Sequence, residues 1–256
     1  MKPTHRTVAD ANAAYYEAMP PGLEDYWNRM AAPRFRTDTL CRLVLDAKPV
    51  RIADLGCGNG RLLVELGARG YRGPRLGVDL SESRIGQNRA LLPDIDWLAA
   101  NLEVRVGALP RETRGAFDAV IACELIEHLA DPAALLTNAS SLAVPGHGLL
   151  FLSTQSGPIG ATERLVGHQR HFTADDLAAL FRETGWEAVR IWNAGYPFHD
   201  FSKWFASLRP DTMIEQFSNK AYGPVQRLIC WSLRALFKLN SHTRGAQLFA
   251  VARSRT

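Results

Sequence analysis

Ile52-Ala53-Asp54-Leu55-Gly56-Cys57-Gly58-Asn59-Gly60 is the stretch on which the reading of this chain turns. An apolar run passes into three glycines at alternate positions, and a helical stretch, Arg61–Ala68, follows. Glycine lets the backbone enter positive φ and lets a ligand come close. The helix behind such a turn aims its free N–H groups and the positive end of its dipole at that ligand. A dinucleotide fingerprint, G-x-G-x-x-G, would need its third glycine at 61, and Arg61 stands there. The G-x-G-x-G spacing, with Asp54 two positions before the first glycine, disfavours a pyrophosphate. It suits a smaller ligand carrying a carboxylate and an ammonium group.

Outward from this turn, short apolar runs alternate with helical stretches. The runs are Val50–Leu55, Arg75–Leu80, Ile95–Ala100, Phe117–Cys123, Gly148–Ser153, Glu187–Asn193 and Gln247–Arg253. That alternation predicts an α/β fold with a mostly parallel sheet covered by helices on both faces. Residues 8–47 read as helical. Residues 201–244, between the last two runs, are helical and aromatic, and an insertion of that length usually carries function. We therefore expect a helical cap over 1–47, a core over 48–200, a helical cap insertion over 201–244, and the last core strand over 245–256.

Composition narrows the class. The chain has 256 residues, 46% hydrophobic and 22% charged, which is ordinary globular usage and excludes disorder and collagen-like repeats. Thirty Lys+Arg against 26 Asp+Glu give a net charge of +4. The cations are nearly all arginine, and no run of like charges forms an arm for nucleic acid. Cys41, Cys57, Cys123 and Cys230 include no C-x-x-C pair, so neither a disulfide framework nor a zinc knuckle is indicated. Isolated thiols, a polar N-terminus and the lack of an eighteen-residue apolar run fit a cytoplasmic location.

Asp79 closes the run Leu76-Gly77-Val78-Asp79. An acid there, beside the glycine turn, can accept both hydroxyls of a ribose, with Leu80 against the base. The competing reading is an acid at a helix start, since Ser81 follows. Taken together, these motifs make the chain resemble the class I S-adenosylmethionine-dependent methyltransferases. Asp54–Gly60 looks like their first motif and Gly77-Val78-Asp79-Leu80-Ser81 like their second. Asn101-Leu102 stands where the family reads the adenine edge, with Asn in place of the usual Asp. Phe117–Glu124 resembles the fourth strand. The resemblance implies a seven-stranded, mostly parallel Rossmann-like sheet with an antiparallel last strand. It also implies an S-adenosylmethionine site at Asp54, Gly56, Cys57, Gly58, Asp79, Leu80, Asn101, Leu102 and Glu124, releasing S-adenosylhomocysteine.

Glu124-Leu125-Ile126-Glu127-His128-Leu129 follows the fourth run. On a helix, Glu124, Glu127 and His128 would share one face. Two carboxylates and an imidazole suit a divalent metal, with a further ligand from His168 or His171. That arrangement is similar to the metal-dependent small-RNA 2′-O-methyltransferases and the ubiquinone-pathway O-methyltransferases. The alternative is a turn that only shapes the cleft, and it carries more weight. His128 and His171 are the candidate general bases for an acceptor hydroxyl. Thr173 with Asp175-Asp176 reads as a helix cap beside His171, a structural alternative for that residue.

Tyr15-Tyr16 and Tyr26-Trp27 can either close over the cofactor or simply pack. In Val225–Leu239, Leu228, Ile229, Leu233, Leu236 and Phe237 form an apolar stripe, with Arg227, Arg234 and Lys238 off it. Such a helix either caps its own domain, the preferred reading, or lies on a membrane. The expected activity is methyl transfer to a hydroxyl, or an amine, of a small acceptor from secondary or sugar metabolism. The alternatives are a metal-dependent enzyme acting on RNA or a quinone-like lipid, and a non-catalytic methyltransferase-like binding protein.

Overall fold

The computed structural model describes residues 24–104, 109–217 and 221–255. Tyr15-Tyr16 and the side chain of Trp27 lie outside what is described. Helices α1 (Glu24–Arg29) and α2 (Ala31–Asp46) precede strand β1 (Ile52–Leu55). An alternation follows: α3 (Arg61–Ala68), β2 (Arg75–Asp79), α4 (Glu82–Leu91), β3 (Asp96–Ala99), β4 (Ala119–Cys123), α5 (Pro132–Leu142) and β5 (Leu149–Gln155). Then come α6 (Ala161–Leu165), α7 (Ala174–Glu183), β6 (Trp186–Ala194), α8 (Phe198–Leu208), α9 (Pro210–Phe217), α10 (Pro224–Phe237) and β7 (Gln247–Ser254). Every apolar run read from the sequence as a strand is one.

The described strands form one seven-stranded sheet in the order β3-β2-β1-β4-β5-β7-β6. β3 through β5 are parallel, and β7 runs antiparallel to both β5 and β6. Alternate residues of a strand face opposite sides. Ala53, Leu55, Val120 and Leu150 therefore pack with α5 and α7 in one core, while Ile52, Ile121, Phe151 and Phe249 pack with α2, α3 and α4 in the other. Each fully buried side chain of this size contributes about 1.5–3 kcal/mol.

The helices begin where capping chemistry allows. Ser81 accepts from the Arg84 amide at the start of α4 (3.3 Å). Thr173 and Asp176 cap α7 reciprocally, with the Thr173 amide donating to Asp176 at 2.8 Å and the Asp176 amide to Thr173 Oγ1 at 3.2 Å. Helices α2 and α3 are joined by charge. Arg34 pairs with Glu65 (3.0 Å) and Asp38 (2.8 Å), and Arg69 pairs with Glu65 (2.8 Å) and Asp38.

Between β6 and β7 the chain makes one long excursion through α8, α9 and α10. Its stem is pinned by backbone hydrogen bonds from Gly195 N to Ser241 O (2.9 Å), Tyr196 N to Arg244 O (2.9 Å) and Ser241 N to Tyr196 O (2.7 Å). Inside the excursion, α8 and α10 meet through His199 and Phe237, whose ring centroids are 5.9 Å apart, and Phe35 of α2 packs on both.

Candidate functional site

The strand order reverses between β1 and β4, which opens a crevice at the carboxyl ends of the parallel strands. The glycine turn lies there. Gly56, Gly58 and Gly60 all have positive φ, at 70°, 53° and 71°. The amides of Gly56 and Cys57 both donate to the Val78 carbonyl (2.8 and 3.0 Å), tying the turn to β2. A Cβ at Gly60 would collide with the Trp97 indole, so this glycine serves packing. A Cβ at Gly58 would meet nothing within 4 Å, so the backbone there faces open space.

Asp79 faces that opening. Its Oδ2 accepts from the Gly58 amide (2.8 Å) and its Oδ1 from the Ser81 amide (3.1 Å). One oxygen thus ties Asp79 to the glycine turn and the other to the start of α4, as the helix-start reading expected. Leu80, beside it, is 39% exposed. Asn88, which the sequence did not flag, donates to the Gly58 carbonyl (2.8 Å) and steadies the turn from α4. Asp54 is buried beneath, and burial, followed by the nearby Asp79, raises its pKa to about 8. Burial pushes the Cys57 thiol upward, so it stays a neutral packing group. Asn101 Oδ1 accepts from the Glu103 amide (2.9 Å), and Leu102 is packed into the core.

Glu124, Glu127 and His128 do not share a helical face, contrary to the sequence expectation. Glu124 takes a left-handed conformation (φ 51°) at the end of β4, and only a single 3-10 turn, Ile126–His128, follows. Its carboxylate turns toward β5 and β7, accepting from Ser153 Oγ (3.0 Å), Gln155 Nε2 (2.8 Å) and Gln247 Nε2 (2.8 Å). Arg36 of α2 lies 3.6 Å away. Burial alone would raise this carboxyl's pKa, but Arg36 and the three donors bring it down to about 2.

Glu127 points the other way. It is fully buried; its Oε2 accepts from Thr154 Oγ1 (2.7 Å), and its Oε1 has no hydrogen-bond partner among the described residues. Burial, then the Glu124 charge, raises its pKa well above the carboxylate range. Ligand atoms of Glu127, His128 and His168 all lie within 4.8 Å of one another. One carboxylate and two imidazoles form a donor set that fits a divalent transition metal.

The imidazoles form a chain. The His128 and His168 ring centroids are 4.7 Å apart, and His168 Nδ1 lies 3.0 Å from His171 Nε2. His171 Nδ1 lies 2.9 Å from the Gly157 carbonyl. A carbonyl only accepts, so His171 Nδ1 carries the proton. The neutral ring's Nε2 then accepts from His168 Nδ1–H, which leaves His168 Nε2 with the bare lone pair. Burial depresses all three imidazoles, His168 to about 3 with His128 as the next cause. His171, expected as a base, thus has both ring nitrogens engaged. From α8, Lys203 Nζ reaches Glu163 (2.6 Å) and Gln155 Oε1 (3.1 Å), and its charge acts on His168 and His171. His199, by contrast, is buried against Phe35 and Phe237 and contacts Asp200 at 3.2 Å.

The glycine turn follows β1 beside the reversal of the sheet, and it faces an acid at the end of the adjacent β2, the arrangement the sequence resemblance led us to expect. The chain belongs to the class I S-adenosylmethionine-dependent methyltransferase family: the methyltransferase domain profile matches residues 24–191. Among curated relatives, the ubiquinone biosynthesis O-methyltransferase of Dechloromonas aromatica (strain RCB) is 35% identical over 104 residues, 41% of this chain and 44% of the relative. The protein of the same name from Burkholderia pseudomallei (strain K96243) is 28% identical over 176 residues, 61% of this chain and 72% of that one. For the first of these, the match spans less than half the relative's length. Among solved structures, the 4+2 cyclase SpnF aligns with a TM-score of 0.61 at 19% identity, covering 97% of both chains. The N-methyltransferase NodS from Bradyrhizobium japonicum WM9, solved with S-adenosyl-L-homocysteine, aligns at 0.58 with 15% identity over 98% of this chain and 100% of NodS. These likenesses establish the fold; a cyclase among them shows that the fold alone does not fix the reaction.

Proposed function

We propose that this protein transfers the methyl group of S-adenosylmethionine to a hydroxyl of a small-molecule acceptor. The observation that carries this reading is Asp79 Oδ2 set 2.8 Å from the Gly58 amide, beside the one glycine of the turn that faces open space. Asp79 and the turn fit the ribose of the donor, and Leu80 fits its base. Arg36 brings a buried cation to the same end of the sheet, suited to the donor's carboxylate. When bound, the donor supplies an activated sulfonium methyl group. The protein's main contribution is then to hold the acceptor oxygen in line with it, an orientation effect. His168 Nε2 takes up the hydroxyl proton, His128 packs against its ring, and His171 fixes its tautomer. A base whose pKa lies so far below neutral gives help at the low end of the general-base range, about 10²-fold.

A second reading, a quinone-like acceptor with a divalent metal, is favoured by the buried, partnerless Oε1 of Glu127 beside His128 and His168. The names of the curated relatives point the same way. In that case Glu127, His128 and His168 would hold the ion, which would supply Lewis acidity toward the acceptor oxygen.

The test is transfer of labelled methyl from the donor to separated small-molecule, lipid and RNA fractions, with and without chelator. Label in a small-molecule fraction despite chelator supports the first reading, and chelator-sensitive labelling of a quinone-like lipid supports the second. Label confined to RNA would overturn both. Calorimetry adds a check on the donor site: Asp79→Ala should weaken donor binding by about 10-fold or more, as loss of hydrogen bonds to charged groups does, while Glu127→Ala leaves it nearly unchanged. Equal effects would contradict this assignment.

A further inference from the structure

The excursion between β6 and β7 buries one side of each long helix and leaves the other apolar. On α8, Phe201, Trp204, Phe205 and Leu208 recur at helical spacing and are all exposed, with Trp204 at 57%. The Phe201 ring lies 5.6 Å from Trp204 and 6.4 Å from Phe205, so the aromatic surface is continuous. On α10, Phe237 is the one buried member of the sequence-read stripe, joined by Cys230 from outside it. Val225, Leu228, Ile229, Trp231, Leu236 and, just past the helix end, Leu239 are exposed, with Leu228 at 63% and Trp231 at 69%. Free apolar surface on this scale marks a binding face rather than scattered exposure.

Charge identifies the occupant. Arg227, Arg234 and Lys238 recur at helical spacing and are all exposed. At 3.6 residues per turn they form a row along one flank of the α10 stripe, with Trp231 between that row and the leucines. From residue 216 to the end of the sequence there is no Asp or Glu. On α8, Asp200 is committed to His199 and the Ala246 amide. The exposed acids of the excursion, Asp211 and Glu215, belong to the short α9. A leucine stripe with tryptophan at its border and arginines along its flank is the arrangement of a helix lying in the headgroup layer of a bilayer. A second copy of the chain docking through the same patch would bring one basic row near the other. We propose that the outer faces of α8 and α10 dock onto an anionic lipid surface, the leucines and aromatics entering the interface and the basic row meeting the headgroups.

The experiment is flotation of the full chain with vesicles of mixed phosphatidylglycerol and phosphatidylcholine, against pure phosphatidylcholine, at low and high salt. Binding should favour the anionic vesicles by about 10-fold or more, since each basic residue at the surface is worth about 1 kcal/mol, and should fall at high salt. The variant Trp204→Ser/Trp231→Ser should lose binding to both vesicle types. Arg227→Gln/Arg234→Gln/Lys238→Gln should lose the preference for anionic lipid while still binding the donor, which shows that it is folded. Equal binding to both vesicle types, no binding, or wild-type binding by both variants would overturn the proposal. So would a lipid-free dimer, seen by sedimentation, that the tryptophan variant dissociates.

Discussion

Gly58 and Gly60 share a left-handed backbone for different reasons, and substitution separates them. Gly60→Ala drives a methyl group into the Trp97 indole and should cost about 2–4 kcal/mol, read as a lowered urea midpoint. Gly58→Ala meets no protein atom; it should cost only the left-handed penalty of about 1–2 kcal/mol, yet lose donor binding by calorimetry. As the proposed base, His168 would set the pH behaviour. Its folded pKa is held near 3, against 6.5 for a free imidazole, so its neutral, proton-accepting form persists into acid. The acid limb of kcat/KM should therefore fall well below pH 6.5, and His168→Ala should lower kcat by about 10²-fold. A limb centred at 6.5 would remove His168 as the base. The glycine turn with Asp79 beside it was legible in the sequence because it follows from short, local spacing. That His171 has both ring nitrogens engaged was not, because it depends on which ring nitrogen faces the Gly157 carbonyl.

At the scale of elements, the strands were readable from apolar runs because both faces of the parallel sheet are buried. The 3-10 turn after β4 was misread as a helix because the forces shaping it are distant in sequence. Glu124 is held by Gln155 from β5, Gln247 from β7 and Arg36 from α2, and those partners override the local i, i+3, i+4 pattern. Arg36 itself gave no signal, since a lone arginine in a helix reads as surface. Its helix, α2, is joined to α3 by the charge net. Glu65 sits at the centre of that net, its pKa lowered from 4.5 to about 2 chiefly by the hydrogen bond from Arg34, against the opposing effect of burial. A depressed carboxyl stabilises the fold above its unfolded pKa, and that contribution is lost as pH falls from 4.5 toward 2. Glu65→Gln should cost about 1 kcal/mol at neutral pH and flatten the stability profile across that acid window. An unchanged profile in urea titrations at several pH values would show that the net contributes nothing.

For the whole molecule, the donor crevice and the excursion answer separate questions. The crevice is fixed by strand order, whereas the alternation of runs foretold only the mostly parallel sheet that carries it. The outward faces of α8 and α10 were not foretold, because a periodic apolar stripe does not say which of its residues meet the protein. Among the described residues no helix is long and apolar enough to cross a membrane, and the lipid contact proposed above is through those faces. The excursion leaves and rejoins the sheet through adjacent strands, its two feet stitched together at Gly195, Tyr196, Ser241 and Arg244. Lengthening a loop between fixed ends costs only about 0.6 kcal/mol per doubling. The excursion thus hangs from the sheet by one stem, and its length can change between those fixed feet at little closure cost while the glycine turn, on β1, keeps its place.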